Sequence, residues 1–113
     1  MLSFQNLDVY RCGIEFLAFS RQLVRELPKG NADLSDQLRR AAQSIPVNIA
    51  EGVGKTSRAD KVKYYAIARG SAMESAAHLD VMRVDALIDE PRYMEGAALL
   101  ERLVSMLTKM IRP

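Results

Sequence analysis

A single cysteine, a single histidine and no tryptophan leave this 113-residue chain with little material for metal centres and none for an internal disulfide. Cys12 has no partner in the chain, which fits a reducing compartment better than a secreted setting. Aromatic residues make up 6% of the sequence, and no run of alternating β-branched residues accompanies them, so no strand pattern competes with a helical reading. Charged residues interrupt every apolar run well before the roughly 18 residues that a membrane span needs. The start of the chain has no basic region leading into a continuous apolar stretch, so the expectation is a cytoplasmic protein without a secretory leader or a membrane contact. Charge of one sign is scarce as well: the net charge is +2, which permits an anionic partner without demanding one.

Helical periodicity is abundant. A first helix is predicted from Asp8, read as its N-cap, to Leu27, with Pro28-Lys29-Gly30-Asn31 ending it. Its apolar residues fall into two rows, Val9, Cys12, Phe16, Phe19 and Leu23 beside Leu7, Tyr10, Ile14, Leu17 and Val24. Together they cover more than half the circumference. A second helix is predicted over 34–52, carrying Pro46 as a kink and ending at Gly52 and Gly54 in left-handed cap positions. A third spans 57–88, opening on Ser57 as N-cap with Asp60 reaching back. Asp89-Glu90-Pro91 marks the last turn, and a fourth helix covers 91–111. Its apolar positions again come in two rows, Ala97, Leu100, Val104, Leu107 and Ile111 beside Leu99, Leu103, Met106 and Met110. Short connections between long helices predict one all-α domain over residues 1–113, an antiparallel up-down-up-down four-helix bundle.

Apolar arcs this broad have two readings. One is self-association, with Val9, Phe16, Phe19, Leu23, Leu99, Leu103 and Met106 facing another copy of the chain; the other is an unusually buried helix within a single chain. Five of the methionines sit at core spacing and read as flexible filler.

Small residues concentrate at Ala41, Ala42, Ser44, Ala50 and Gly52 and again between Ala66 and Ala77, which predicts that the second and third helices pack closely. Arg40, Asn48, Glu51, Arg69, Ser71 and Glu74 lie among them. A partly buried charge must be paired, so a polar network joining the two helices is expected, as a register-fixing latch or as a small active site. The latch is preferred because no nucleophile stands beside a base. Glu74 and His78 share a helix face, but one histidine cannot assemble a di-iron pattern, so no metal and no cofactor are expected. Gly52-Val53-Gly54-Lys55-Thr56-Ser57 is not a phosphate loop: the required first glycine is replaced by Ile49, and a helix precedes it where a strand is needed. No catalytic residue is assigned, and the chain reads as a non-enzyme.

Lys55, Arg58, Lys61 and Lys63 crowd the start of the third helix, where cations oppose the helix dipole. That arrangement suits a phosphate-bearing partner, or else a solvated face balanced by Asp60. With Arg39 they form the candidate nucleic-acid contacts.

Gln37-Leu38-Arg39-Arg40-Ala41-Ala42-Gln43-Ser44-Ile45-Pro46-Val47-Asn48-Ile49-Ala50-Glu51-Gly52, followed by Arg69-Gly70-Ser71-Ala72-Met73-Glu74, resembles the bacterial four-helix bundle protein family. That family includes proteins encoded in intervening sequences of large-subunit ribosomal RNA genes and the accessory variability determinants of diversity-generating retroelements. The resemblance runs from Leu7 through Met106-Leu107. It implies a bundle that assembles as a homo-oligomer, a pentameric ring, and an accessory protein that binds RNA or another nucleic acid. The alternative is a scaffold that presents a surface to a protein partner such as a polymerase or reverse transcriptase. The resemblance also implies structural roles for Arg40, Asn48, Glu51, Ser71 and Glu74, with Arg39 facing the surface.

Overall fold

In the computed structural model, which describes residues 1–113, a short 3-10 turn over Ser3–Asn6 leads into four helices: α1 Asp8–Arg25, α2 Ala32–Val53, α3 Arg58–Val84 and α4 Glu90–Ile111. They form an antiparallel bundle with extents of 44 × 25 × 21 Å, in which α1 packs against α2 and α4, and α3 packs against the same two. The predicted four-helix, all-α architecture is what the chain adopts. No helix is long and apolar enough to cross a membrane.

The square arrangement corrects the expected self-association face. A helix with two neighbours at right angles buries an arc of about half its circumference, wider than a stripe facing one partner. Val9, Phe16, Phe19 and Leu23 from α1 and Leu99 and Leu103 from α4 are therefore interior to the single chain, and Met106 is half-buried against the same core. Phe16 has no exposed surface and packs its ring against Phe19 at 5.8 Å between centroids. The buried-helix reading is the one that holds for this row. What remains outside is the second row of α1: Leu7 and Ile14 are exposed, while Tyr10 and Leu17 are half-buried.

Leu38, Ala41, Ala42, Ile45 and Ile49 bring the inner face of α2 into the core, and α2 runs unbroken through Pro46. Opposite that proline α1 carries Gly13, whose missing side chain would lie 3.5 Å from Ile45 and Pro46, so the two backbones approach there. The core's polar atoms are all satisfied: Ser20 donates to the Leu17 carbonyl at 2.8 Å, Ser75 to the Ser71 carbonyl at 2.9 Å, and Cys12 to the Leu99 carbonyl at 3.5 Å. Burial pushes the Cys12 thiol up, which keeps it protonated and unreactive.

Four helix ends differ from expectation. α1 ends at Arg25 because Leu27, which precedes Pro28, is disfavoured in helical geometry. Asp8 is the first helical residue and Leu7 the cap, without a side-chain bond. α3 stops at Val84, short of Ile88, in a Schellman turn: Leu87 N–H donates to the Met82 carbonyl at 2.8 Å and Ala86 N–H to the Arg83 carbonyl at 3.2 Å. Ala86 takes the left-handed position at φ 58°, where glycine is the usual residue. Gly52 and Gly54 are not left-handed caps. Gly54 has φ −74°, and Gly52 lies inside α2, where an added Cβ would stand 2.6 Å from the Tyr65 ring. Its purpose is close approach of α2 to α3.

Candidate nucleic-acid interface

The α2–α3 turn is built by two caps. Ser57 accepts from the Asp60 N–H at 3.1 Å, as expected for an N-cap. Lys61, one turn into α3, reaches back and donates to the Val53 carbonyl at 2.9 Å, satisfying the exposed end of α2. Arg58 does the same for α4, donating to the Met110 and Arg112 carbonyls at 2.7 Å each. These contacts occupy the cations with dipoles and leave their charge unneutralised.

Only Lys55 of the predicted cluster has a carboxylate partner. Its ammonium lies 3.1 Å from Glu51, and that hydrogen bond, with the Glu51 charge, raises the Lys55 pKa above its ordinary value. Lys55 also stands 5.1 Å from the centre of the Tyr64 ring, and Lys63 lies 5.6 Å from it on its own approach. Lys63 makes no ion pair. The antiparallel topology adds Lys109 and Arg112 from the end of α4, which the sequence reading left out. This end of the bundle thus gathers Lys55, Arg58, Lys61, Lys63, Lys109 and Arg112, with Tyr64 among them and with Glu51, Asp60 and, at the start of α1, Asp8 as acidic groups.

Arg39 is not part of this cluster. It lies on the first half of α2, about 21 Å of helix axis from the end at Val53, beside Asp36 at 3.9 Å.

The expected polar network is smaller than predicted. Asn48 donates to the Ser44 carbonyl at 2.8 Å and to its hydroxyl at 2.9 Å, and Ser71 donates to the Ser44 hydroxyl at 2.8 Å, which ties α2 to α3. Arg40, Glu51 and Glu74 do not join it: Arg40 is exposed with no partner in the chain, Glu51 pairs with Lys55, and Glu74 lies 3.3 Å from His78. Arg69 turns the other way and donates to the Thr108 hydroxyl on α4 at 3.3 Å. Long charged side chains reach solvent at little cost, whereas the short Ser and Asn side chains cannot, so Ser44, Asn48 and Ser71 make up the α2–α3 network. No group of three or more His, Cys, Asp or Glu is placed to hold a metal.

A family model described as the 23S rRNA-intervening sequence protein matches residues 5–109. The chain belongs to that family. The same architecture is found in a solved structure, a protein of unknown function from the S23 ribosomal protein family of Bacteroides thetaiotaomicron, which superposes with a TM-score of 0.86. That likeness covers 93% of this chain and 99% of the other at 24% identity, which speaks for a common fold. No curated protein matches the sequence.

Proposed function

We propose that this chain is a non-enzymatic, homo-oligomeric accessory protein that binds RNA through the cationic end of its bundle. One observation carries the reading: Lys55, Arg58, Lys61, Lys63, Lys109 and Arg112 converge on one end, and among them only Lys55 is paired with a carboxylate. Cations that cap carbonyls keep their full charge for a phosphate backbone, and such contacts give affinity with little sequence discrimination. Tyr64 holds the Lys55 and Lys63 ammoniums over its ring and so keeps two of these cations together.

Assembly into a ring, a pentamer by family resemblance, would repeat this end around an axis and strengthen polyanion binding by multivalency. The surface that supports assembly is the outer strip of α1 and α2, where Tyr10, Ile14, Leu17, Pro46 and Val47, together with the polar Gln43 and Glu51, line an open groove of about 490 Å³. Ile14 and Val47 are 41% and 54% exposed there, apolar surface that a second copy would cover.

Retention of a structured ribosomal RNA fragment on purified protein tests the binding. With about four phosphate contacts, affinity falls on the order of a hundredfold between 50 and 200 mM salt, and Lys63→Glu weakens it without touching a cap. Failure to retain RNA at the lower salt refutes the reading. Light scattering tests the assembly; a monomeric mass removes it.

A further inference from the structure

Away from the cationic end, α1 and α2 enclose a second polar site. Arg21 from α1 and Arg39, Arg40, Gln43, Ser44 and Asn48 from α2 line an open cleft of about 360 Å³, with Val47 on its rim and no carboxylate in its wall. Arg21 is held in place by Gln43, to whose side-chain oxygen it donates at 2.7 Å, and by a longer contact of 3.5 Å to the Arg39 carbonyl. It has no acidic partner. Arg40 makes no hydrogen bond or ion pair in the chain, and Arg39 meets only Asp36, at 3.9 Å with both side chains half or more exposed.

Three guanidinium groups on one cleft repel one another, and the single exposed carboxylate of Asp36, paired with Arg39 alone, offsets only part of that. Arg21 is oriented by a neutral amide that leaves its charge available. Guanidinium forks match the oxygen geometry of phosphate and bind it in bidentate fashion. The cleft lies at the small end of ligand-pocket volumes, about 300–1,000 Å³, so it fits one phosphate group and the sugar attached to it. Excess positive charge favours the doubly charged monoester over the singly charged diester.

We propose that Arg21, Arg39, Arg40 and Gln43 form a phosphate-monoester site, taking the terminal phosphate of a nucleotide or of an RNA 5′ end. The site is separate from the cationic end and stands whether or not that end binds RNA.

The test titrates the full chain with inorganic phosphate, adenosine 5′-monophosphate and an RNA octamer with and without a 5′-phosphate. Arginine side-chain resonances and calorimetry are the readouts. The expected result is saturable binding of the monophosphate with the Arg21 and Arg40 signals moving, and a preference for the 5′-phosphorylated octamer. Arg40→Gln weakens monophosphate binding about tenfold, the worth of one charged hydrogen bond, and leaves thermal stability unchanged because Arg40 holds nothing in the fold. Lys63→Gln leaves monophosphate binding intact. Absence of arginine shifts at millimolar monophosphate, or equal weakening by Arg40→Gln and Lys63→Gln, overturns the site. Equal binding of both octamers with loss of both in Arg40→Gln also overturns the monoester assignment, because internal diesters would then be the ligand. Should RNA retention fail while monophosphate binding persists, the function proposed above falls and this site remains.

Discussion

The two ends of the bundle spend their charges differently. At the end formed by the α1–α2 and α3–α4 turns, cations meet carboxylates: Arg92 pairs with Glu26 and Arg83 with Glu90, each at 2.7 Å, and Arg83 also lies over the Tyr93 ring. At the other end Arg58 and Lys61 meet backbone carbonyls, and Lys63 meets a ring. Both ends close their helices, but only one neutralises itself. Using a cation as a helix cap satisfies orphan carbonyls and leaves net positive potential, so one set of side chains serves stability and an anionic partner together.

The sharpest way to break this comparison is a charge exchange. Lys61→Glu with Lys63→Glu at the open end is expected to weaken RNA retention by about two orders of magnitude or more, since each phosphate contact governs a steep share of the affinity. Arg83→Glu at the paired end changes it less than threefold. Equal losses would mean that overall charge decides binding, and the distinction between the ends would vanish.

Both ends also contain a glycine at a close helix approach, and overpacking each measures how tightly it is closed. An added Cβ at Gly96 would stand 2.6 Å from Phe19 and 2.8 Å from Leu79, whereas at Gly52 it meets Tyr65 at 2.6 Å and the Lys61 carbonyl at 3.2 Å. Gly96→Ala and Gly52→Ala are each expected to lose about 1–3 kcal/mol in denaturant unfolding, despite the better helix propensity of alanine. A gain in either would show that the ring beside it moves aside.

Smaller effects come from the turns. Ser57→Ala and Asp89→Ala remove N-caps at opposite ends and should each cost about 1 kcal/mol, because Asp89 accepts from the Arg92 N–H at 2.9 Å as Ser57 does from Asp60. Ala86→Gly should raise stability, by up to about 1 kcal/mol, by relieving a left-handed alanine. The smallest effect is spectroscopic. Tyr93 donates to Asp80, and that hydrogen bond raises its pKa above the ordinary tyrosine value. Its phenolate should therefore appear at higher pH than in Asp80→Asn; the contact favours the fold below the tyrosine range and is lost as pH rises through it. Coincident titrations would remove the hydrogen bond from the account.

Much of this was legible in the chain itself. Apolar spacing at 3.6 residues, the proline and glycine punctuation and the Ser57 cap determine four helices, and short connections make them antiparallel, because local propensity and hydrophobic burial agree along the sequence. The motif on α2 marks the family for the same reason: its small and apolar residues are those that a close α2–α3 contact needs. What only the tertiary structure decided is which of two apolar rows on α1 is inside, since periodicity gives the angle between residues and not the number of neighbours a helix will have. It also decided that Arg58 and Lys61 cap helices, that Arg40 and Glu74 stay out of the polar network, and that Lys109 and Arg112 join the basic end while Arg21 joins Arg39 and Arg40 in a cleft. Long charged side chains carry no periodic signature, and their partners are fixed by three-dimensional proximity across helices far apart in sequence.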